Sequence, residues 1–279
     1  MKNKSIISLA IAAIAAIACG QTPEEKIKAY EEAHDAMMQE YRQMMDSLAT
    51  DREKAQAFYD DFVVRYIEFN LQAAKKNPDN EVAVQVLMNL RGLIEDEQVS
   101  AIISKMSDQM LENEDVARLK KGLDARIATA EGQPFVDFTV NSCVGQTRSI
   151  PAEPIYAEVK LSDYVGKGKY ILLDFWSPWC GPCRREMPNI KAVYDKYKGE
   201  KFDVVSIAVW EREPVDVTIE TAAKLEMTWN QINNGQREPA ELYGVEGIPH
   251  LILFGPDGTI LKRGFHGAEI EEVVSSYVK

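Results

Sequence analysis

Cysteine is scarce in this chain, and its scarcity limits the kinds of site that the sequence can build. The 279 residues include four cysteines and three histidines. Only Cys180 and Cys183 have C-x-x-C spacing, and no second cysteine pair or histidine pair completes the four ligands of a structural zinc site. A scaffold held together by several disulfide bonds is also disfavoured. The core must therefore be held by hydrophobic burial, which a chain of this length can supply.

Positive charge is also in short supply. Lysine and arginine total 32 against 44 aspartate and glutamate residues, so the formal net charge is −12. Acidic residues exceed basic ones in both parts of the chain: residues 19–130 carry 14 basic and 22 acidic side chains, and residues 131–279 carry 16 basic and 22 acidic ones. An acidic surface argues against nucleic acid as a partner and against binding to an anionic membrane face. Any attachment to a membrane is therefore expected to come from a lipid.

No apolar run is long enough for an ordinary transmembrane helix. Residues 5–18 form a 14-residue apolar run behind Lys2 and Lys4, a pattern typical of a secretory signal peptide. The run ends in Ala-Ile-Ala before Cys19, which resembles the cleavage box of bacterial lipoproteins. We predict a signal peptide over residues 1–18, lipidation of Cys19, and a lipid-anchored protein of the periplasm or cell envelope. Simple secretion and an uncleaved anchor are the alternatives.

Glycine and proline are rare between residues 20 and 132, which favours helices there. Only Gly92, Gly122, Pro23 and Pro78 interrupt the segment. Apolar residues recur three and four positions apart, for example at Met37, Met38, Tyr41, Met44 and Met45. The pattern predicts an all-α helical domain of four or five helices over residues 19–130, of unknown role. The methionine pairs are interpreted as helix-core packing, with an adaptable binding groove as the alternative.

The pattern changes at residue 131 and becomes one of alternating strands and helices. Residues 141–155 are rich in turn formers and indicate a loop or a hairpin. The order of elements predicts an α/β sandwich with a mixed sheet over residues 131–279. We predict strands over 135–140, 170–176, 202–209, 250–254 and 259–264, and helices over 181–198, 215–226, 237–243 and 268–278.

The C-x-x-C pair stands where a buried strand meets a helix. Backbone N–H groups and the helix dipole stabilise a thiolate at such a helix N-terminus. This is the chemistry of a thiol–disulfide oxidoreductase, with Cys180 expected to be exposed. A zinc half-site and a purely structural disulfide are the alternatives. Cys143, the remaining cysteine, is expected to be a buried or idle thiol, or else to pair with a partner.

The C-terminal half resembles the thioredoxin superfamily, and within it the TlpA/ResA-type envelope oxidoreductases. The resemblance covers residues 131–279 and implies a thioredoxin-like three-layer sandwich with a central mixed β-sheet. It rests on four motifs, which are Gly132-x-Pro134-x-x-Asp137-Phe138, the segment from Asp174 through Cys180-Gly181-Pro182-Cys183 to Glu186 and Pro188, Gly244-Val245-x-Gly247-Ile248-Pro249, and Gly255-Pro256-Asp257-Gly258.

The resemblance implies a role for each motif residue. Cys180 would attack a substrate disulfide and Cys183 would resolve the mixed disulfide, so that the redox-active disulfide is the only cofactor. Pro249, after Ile248, would be a cis-proline that presents backbone to the substrate. Trp179 would flank the dithiol as a platform, with Trp176 in the core. Substrate contacts are predicted for Trp179, Gly181, Pro182, Ile248 and Pro249.

Two carboxylates complete the predicted site. Asp174 lies inside an apolar strand, where burial would raise its pKa, and the resemblance implies that it accepts a proton from Cys183. The alternative is that Asp174 points outward. Glu186 lies three residues after Cys183, on nearly the same helical face. The resemblance implies that it tunes the cysteines, and the alternative is a solvated residue of the first helical turn. His250 would either reach the site and titrate near neutral pH, or face away from it.

These features predict a thiol–disulfide oxidoreductase of the bacterial cell envelope. The Gly-Pro dipeptide between the cysteines resembles reducing thioredoxins, so we expect reduction of disulfide-containing envelope proteins, with electrons from an upstream thiol donor. A partner-binding or assembly lipoprotein, whose thioredoxin domain serves a dedicated client, is the alternative. A peroxiredoxin is disfavoured because no cysteine stands in a Pro-x-x-x-Thr-x-x-Cys setting. The oligomeric state is not predicted.

Overall fold

The computed structural model describes residues 21–149 and 153–279. The predicted signal peptide and Cys19 lie outside these residues. The contacts divide the described residues into two compact units with the boundary between Leu123 and Asp124, whereas the sequence composition changes after residue 130. No helix in the described segments combines the length and apolar character needed to cross a membrane.

Six helices lie between Pro23 and Ala128. Thr22, Asp51 and Asn80 cap the first three of them, because each accepts a hydrogen bond from a backbone N–H of the first turn. The predicted break at Asn77-Pro78-Asp79 separates the second helix from the third. The helices are α1 (Pro23–Ser47), α2 (Arg52–Lys76), α3 (Glu81–Asn89), α4 (Asp96–Ile103), α5 (Asp108–Leu111) and α6 (Glu114–Ala128).

The core of the helical unit combines an apolar cluster with a buried polar network. Met37 is buried in the cluster, which confirms core packing for that residue. The Tyr30 hydroxyl donates to Asn70 Oδ1 at 2.6 Å and accepts from Asn89 Nδ2 at 2.8 Å. The Asn70 amide nitrogen donates to the Tyr66 carbonyl at 2.9 Å. Helices α1, α2 and α3 are thus joined by side chains whose polar groups satisfy one another.

The second unit is built on a five-stranded mixed sheet. The strand order is β5-β4-β3-β6-β7, with β3 parallel to β4 and antiparallel to β6. A separate two-stranded sheet pairs β1 with β2. The elements are β1 (Thr139–Gln146), β2 (Pro154–Lys160), β3 (Tyr170–Trp176), α7 (Gly181–Tyr197), β4 (Phe202–Ala208), α8 (Val215–Lys224), β5 (Asn230–Ile232), α9 (Glu238–Leu242), β6 (His250–Phe254), β7 (Ile260–Arg263) and α10 (Glu269–Tyr277).

Both faces of the central sheet are covered, so the unit has three layers. Strand β3 is buried along nearly all its length, as its continuous apolar sequence predicts. Leu172 and Trp176 face one core, which includes residues of α7 and α10. Leu173 and Phe175 face the other, which includes Tyr243. The predicted three-layer sandwich with a central mixed sheet is confirmed.

Two strand predictions were wrong. The strand expected over 135–140 begins only at Thr139: residues 135–138 are not in a strand, and the Asp137 carboxylate accepts bonds from the backbone and hydroxyl of Ser162. The following segment then forms the hairpin that the turn-rich sequence allowed. Strand β5 was missed, since it has three residues and lies at the sheet edge, where little apolar patterning is required.

Candidate active site

The dithiol lies where β3 ends and α7 begins. Cys180 is the N-cap of α7, and its Sγ accepts a hydrogen bond from the Cys183 backbone N–H at 3.1 Å. Pro182 stands in the first turn, where its missing N–H costs no helical bond. Cys180 and Cys183 form a disulfide bond, so the structure is that of the oxidised protein.

Cys180 was expected to be exposed, and this expectation is wrong for the oxidised protein. Cys180 is 3% exposed and Cys183 is fully buried. The Ile248 carbonyl oxygen lies 3.6 Å from Cys180 Sγ and covers it on one side. The Ile248–Pro249 peptide bond is cis, which confirms the implied cis-proline.

Asp174 faces inward, so the alternative that it points outward is wrong. It is fully buried, and its Oδ2 accepts a bond from the Ser206 hydroxyl at 2.8 Å. Ser206 Oγ in turn accepts from Trp229 Nε1 at 2.8 Å. Burial raises the pKa of Asp174 to about 7, the Ser206 bond pulls it down, and the charge of Glu186 raises it further. This carboxyl can therefore exchange a proton near neutral pH.

Glu186 is half-buried and holds two segments together. Its Oε1 accepts from the Gly267 backbone N–H at 3.0 Å and from Asn189 Nδ2 at 2.7 Å. The residue thus fixes the first turns of α7 to the loop that precedes α10, in addition to its electrostatic effect on Asp174. The alternative that Glu186 is a solvated residue without partners in the protein is therefore wrong.

Trp179 is a partly exposed platform beside the dithiol. Its side chain is held by two contacts: Nε1 donates to the Trp210 carbonyl at 3.0 Å, and the Arg212 guanidinium lies 3.9 Å from the ring centroid. The ring lines a cleft of about 400 Å³. Trp176 is fully buried, as predicted. Gly181 is half-buried and Pro182 exposed on the same helix start.

Residues 132–263 match the AhpC/TSA family. ResA thiol-disulfide oxidoreductase from Bacillus thuringiensis is 27% identical over 123 residues, which are 44% of this chain and 68% of that protein. ResA from Geobacillus kaustophilus is 29% identical over 154 residues, 55% of this chain and 79% of that protein. A solved thioredoxin domain of a thiol-disulfide oxidoreductase from Bacteroides vulgatus is 26% identical with a TM-score of 0.45, and covers 54% of this chain and 99% of its own.

The C-terminal domain is similar to the ResA thiol–disulfide oxidoreductases over 44% to 55% of this chain. This confirms the resemblance inferred from the sequence motifs. The chemistry of the family implies disulfide-containing substrates and thiol donors in general. The family match is confined to residues 132–263, so the helical domain lies outside it.

His250 does not titrate near neutral pH in this oxidoreductase. Burial lowers the pKa of His250 to about 4, with the charges of Arg263 and His266 acting in the same direction. The ring packs edge-on against Phe175, in the core on the opposite side of the sheet from the dithiol. His250 therefore stays neutral and faces away from the site.

Cys143 is the remaining described cysteine of the oxidoreductase domain. It is buried and free, and its thiol donates to the Gly145 carbonyl at 3.3 Å. The expectation of a buried thiol is confirmed.

Sequence reasoning missed Ser206 and Trp229, which complete the environment of Asp174. A signal for Ser206 exists: it interrupts the apolar run of β4 at the position paired with Asp174 on β3. Two polar residues at one register in two buried strands predict a mutual contact. Trp229 gave no such signal, because it lies in the connection between α8 and β5 and reaches the site only through the fold.

Proposed function

We propose that this protein is a lipid-anchored reductase of protein disulfides in the bacterial cell envelope. The N-terminal basic and apolar pattern with Cys19 supports export and lipid attachment. The Gly181-Pro182 dipeptide, which resembles reducing thioredoxins, supports the direction of electron flow. The acidic composition supports a protein partner over a nucleic acid.

The observation that carries the proposal is the position of Cys180 Sγ. As the N-cap of α7 it already accepts the Cys183 N–H, and it lies at the positive end of the helix dipole. After reduction of the disulfide, the same groups stabilise a thiolate at Cys180. Cys183 is more deeply buried and is suited to the second, internal step.

The reaction cycle consists of two exchanges. The Cys180 thiolate attacks a client disulfide, forms a mixed disulfide, and releases one client thiolate, which takes a proton from solvent. Cys183 loses its proton to Asp174 and attacks Cys180 Sγ, which releases the second client sulfur as a thiolate and regenerates the Cys180–Cys183 disulfide. That thiolate takes a proton from solvent, and Asp174 returns its proton to solvent. The client gains two electrons and the protein loses two. An upstream dithiol donor then reduces the protein disulfide and is itself oxidised.

Trapping the mixed disulfide tests this assignment. In full-length protein, Cys183→Ser removes the resolving thiol, so Cys180 adducts with envelope proteins should accumulate and disappear on treatment with dithiothreitol. Adducts are measured by non-reducing electrophoresis and mass spectrometry. The Cys143→Ser/Cys183→Ser variant is the matched control and should trap equally well.

Two results would argue against the proposed function. The absence of adducts from an envelope extract, or adducts that persist in Cys180→Ser/Cys183→Ser, would remove Cys180 as the nucleophile. Many different adducts support a general reductase. One dominant adduct favours the alternative of a dedicated client.

A further inference from the structure

A polar cleft of about 400 Å³ opens beside the dithiol. One wall includes Trp179, which directly precedes Cys180. The lining also includes Glu246, two residues before Ile248, whose carbonyl lies 3.6 Å from Cys180 Sγ. Both parts of the lining are thus continuous with the segments that flank the sulfur. A client chain that reaches Cys180 passes next to this cleft.

The two acidic residues of the cleft are engaged by the protein itself. Glu246 Oε1 pairs with the Arg126 guanidinium at 3.0 Å. Glu211 Oε2 accepts from the Gln236 backbone N–H at 3.2 Å, and its Oε1 is shielded from solvent. Burial raises the pKa of Glu211 although backbone N–H groups oppose the shift. Both carboxylates therefore already have a partner within the protein.

The two arginines of the cleft are in the opposite situation. The Arg212 guanidinium lies 3.9 Å from the Trp179 ring centroid, and Arg237 is exposed at the start of α9. Within the described residues, neither guanidinium is within ion-pair distance of a carboxylate, although the chain has 44 acidic side chains. Arg184 and Arg185, in the first turn of α7, are also exposed. Arg212 and Arg237 are therefore the charged side chains of the cleft that have no carboxylate partner among the described residues.

We propose that this cleft binds acidic side chains of the client next to the cysteine that Cys180 attacks. The inference rests on the proposed function and names the class of its substrate. Arginine offers planar donors that match a carboxylate in two parallel hydrogen bonds. An extended chain advances about 3.3 Å per residue, so a carboxylate within two or three residues of the client cysteine reaches the cleft. Arg212 and Arg237 then set the orientation of the client segment.

The test compares three disulfide-linked peptides with the reduced full-length protein. The peptides differ only at the residues that flank the cysteine, which are Glu, Gln or Lys. The measured quantity is the second-order rate constant of exchange, by stopped flow at low and high salt. We expect the Glu peptide to react about tenfold faster than the Lys peptide at low salt, with the ratio falling as salt rises.

Charge-reversal variants show whether the peptide preference comes from the cleft arginines or from the net charge of the whole protein. R212E/R237E should invert the Glu-to-Lys ratio, and R237E, which leaves the Trp179 contact intact, should reduce it. R42E/R52E changes two exposed arginines of the helical unit, gives the same net charge, and should preserve the ratio. The ratio is the readout because any change in Cys180 reactivity affects all peptides alike.

Each outcome bears on one claim. An unchanged ratio in R212E/R237E, or an equal change in R42E/R52E, would overturn the acidic-client inference and leave the reductase intact. Failure of all three peptides to react with the parent protein would instead count against the proposed function.

Discussion

Two buried polar clusters, one in each unit, are built in opposite ways. In the helical unit, Tyr30, Asn70 and Asn89 are neutral and satisfy one another across three helices. In the thioredoxin-like unit, Asp174 is ionisable, fully buried, and leaves Oδ1 without a partner among the described residues. A satisfied neutral network stabilises a fold, whereas an unsatisfied carboxyl costs stability when it ionises. The difference assigns a structural role to the first cluster and a chemical role to the second.

Asp174→Asn should change the pH dependence of stability more than any other substitution. The folded pKa of about 7 lies above the ordinary value of 3.8, so the parent loses stability as pH rises from about 4 to about 7. Asp174→Asn has no carboxyl at this position, so its stability does not fall in this way as the pH rises. Its stability relative to the oxidised parent should improve by about 3 kcal/mol between pH 4.5 and pH 8. Urea denaturation at both pH values measures this, and a pH-independent difference would contradict the account.

Asn70→Ala should break the neutral cluster. The substitution leaves the Tyr30 hydroxyl without its acceptor and opens a cavity at a fully buried position, so we expect a loss of about 2 kcal/mol. The urea midpoint of the helical unit measures the loss. Disulfide exchange by the dithiol should be unchanged, and an equal loss of exchange activity would show that the network serves the reaction.

Ser206→Ala and Glu186→Gln should shift the pH profile of resolution in opposite directions. The Ser206 bond lowers the pKa of Asp174 and the Glu186 charge raises it. Ser206→Ala should therefore shift the midpoint of the resolution rate, plotted against pH, to higher pH by about one unit. Glu186→Gln should shift the same midpoint to lower pH by a smaller amount. Glutamine retains the oxygen that accepts from Gly267, so packing is preserved. Parallel shifts of the two variants would remove Asp174 from the resolution step.

The fold was predictable wherever one strand or helix carries its own pattern. The apolar run of β3, with Cys180 following it, predicted the strand, the helix start and the dithiol. The segment before Thr139 was misassigned because Asp137 bonds to Ser162, a contact between residues distant in sequence. Local patterning contains no information on such contacts.

The sequence predicted the motif residues of the site, but it did not predict the residues that surround them in the fold. The motif gave Cys180 and Cys183, while the shielding of Cys180 depends on Ile248, far along the chain. The pKa of His250 required knowledge of which face of β6 is buried and of the charge on Arg263. The polar cleft beside the dithiol is lined by segments that are far apart in sequence and meet only in the folded protein.

The ionisation of Cys180 in the reduced protein tests the central claim most directly. Alkylation rates with iodoacetamide, measured against pH in a Cys143→Ser background, report the thiolate fraction at the helix N-terminus. The account predicts modification of Cys180 ahead of Cys183, with an apparent pKa clearly below the ordinary thiol value of about 8.5. A value at or above 8.5, or a thiol that stays unmodified between about pH 5 and pH 9, would contradict it.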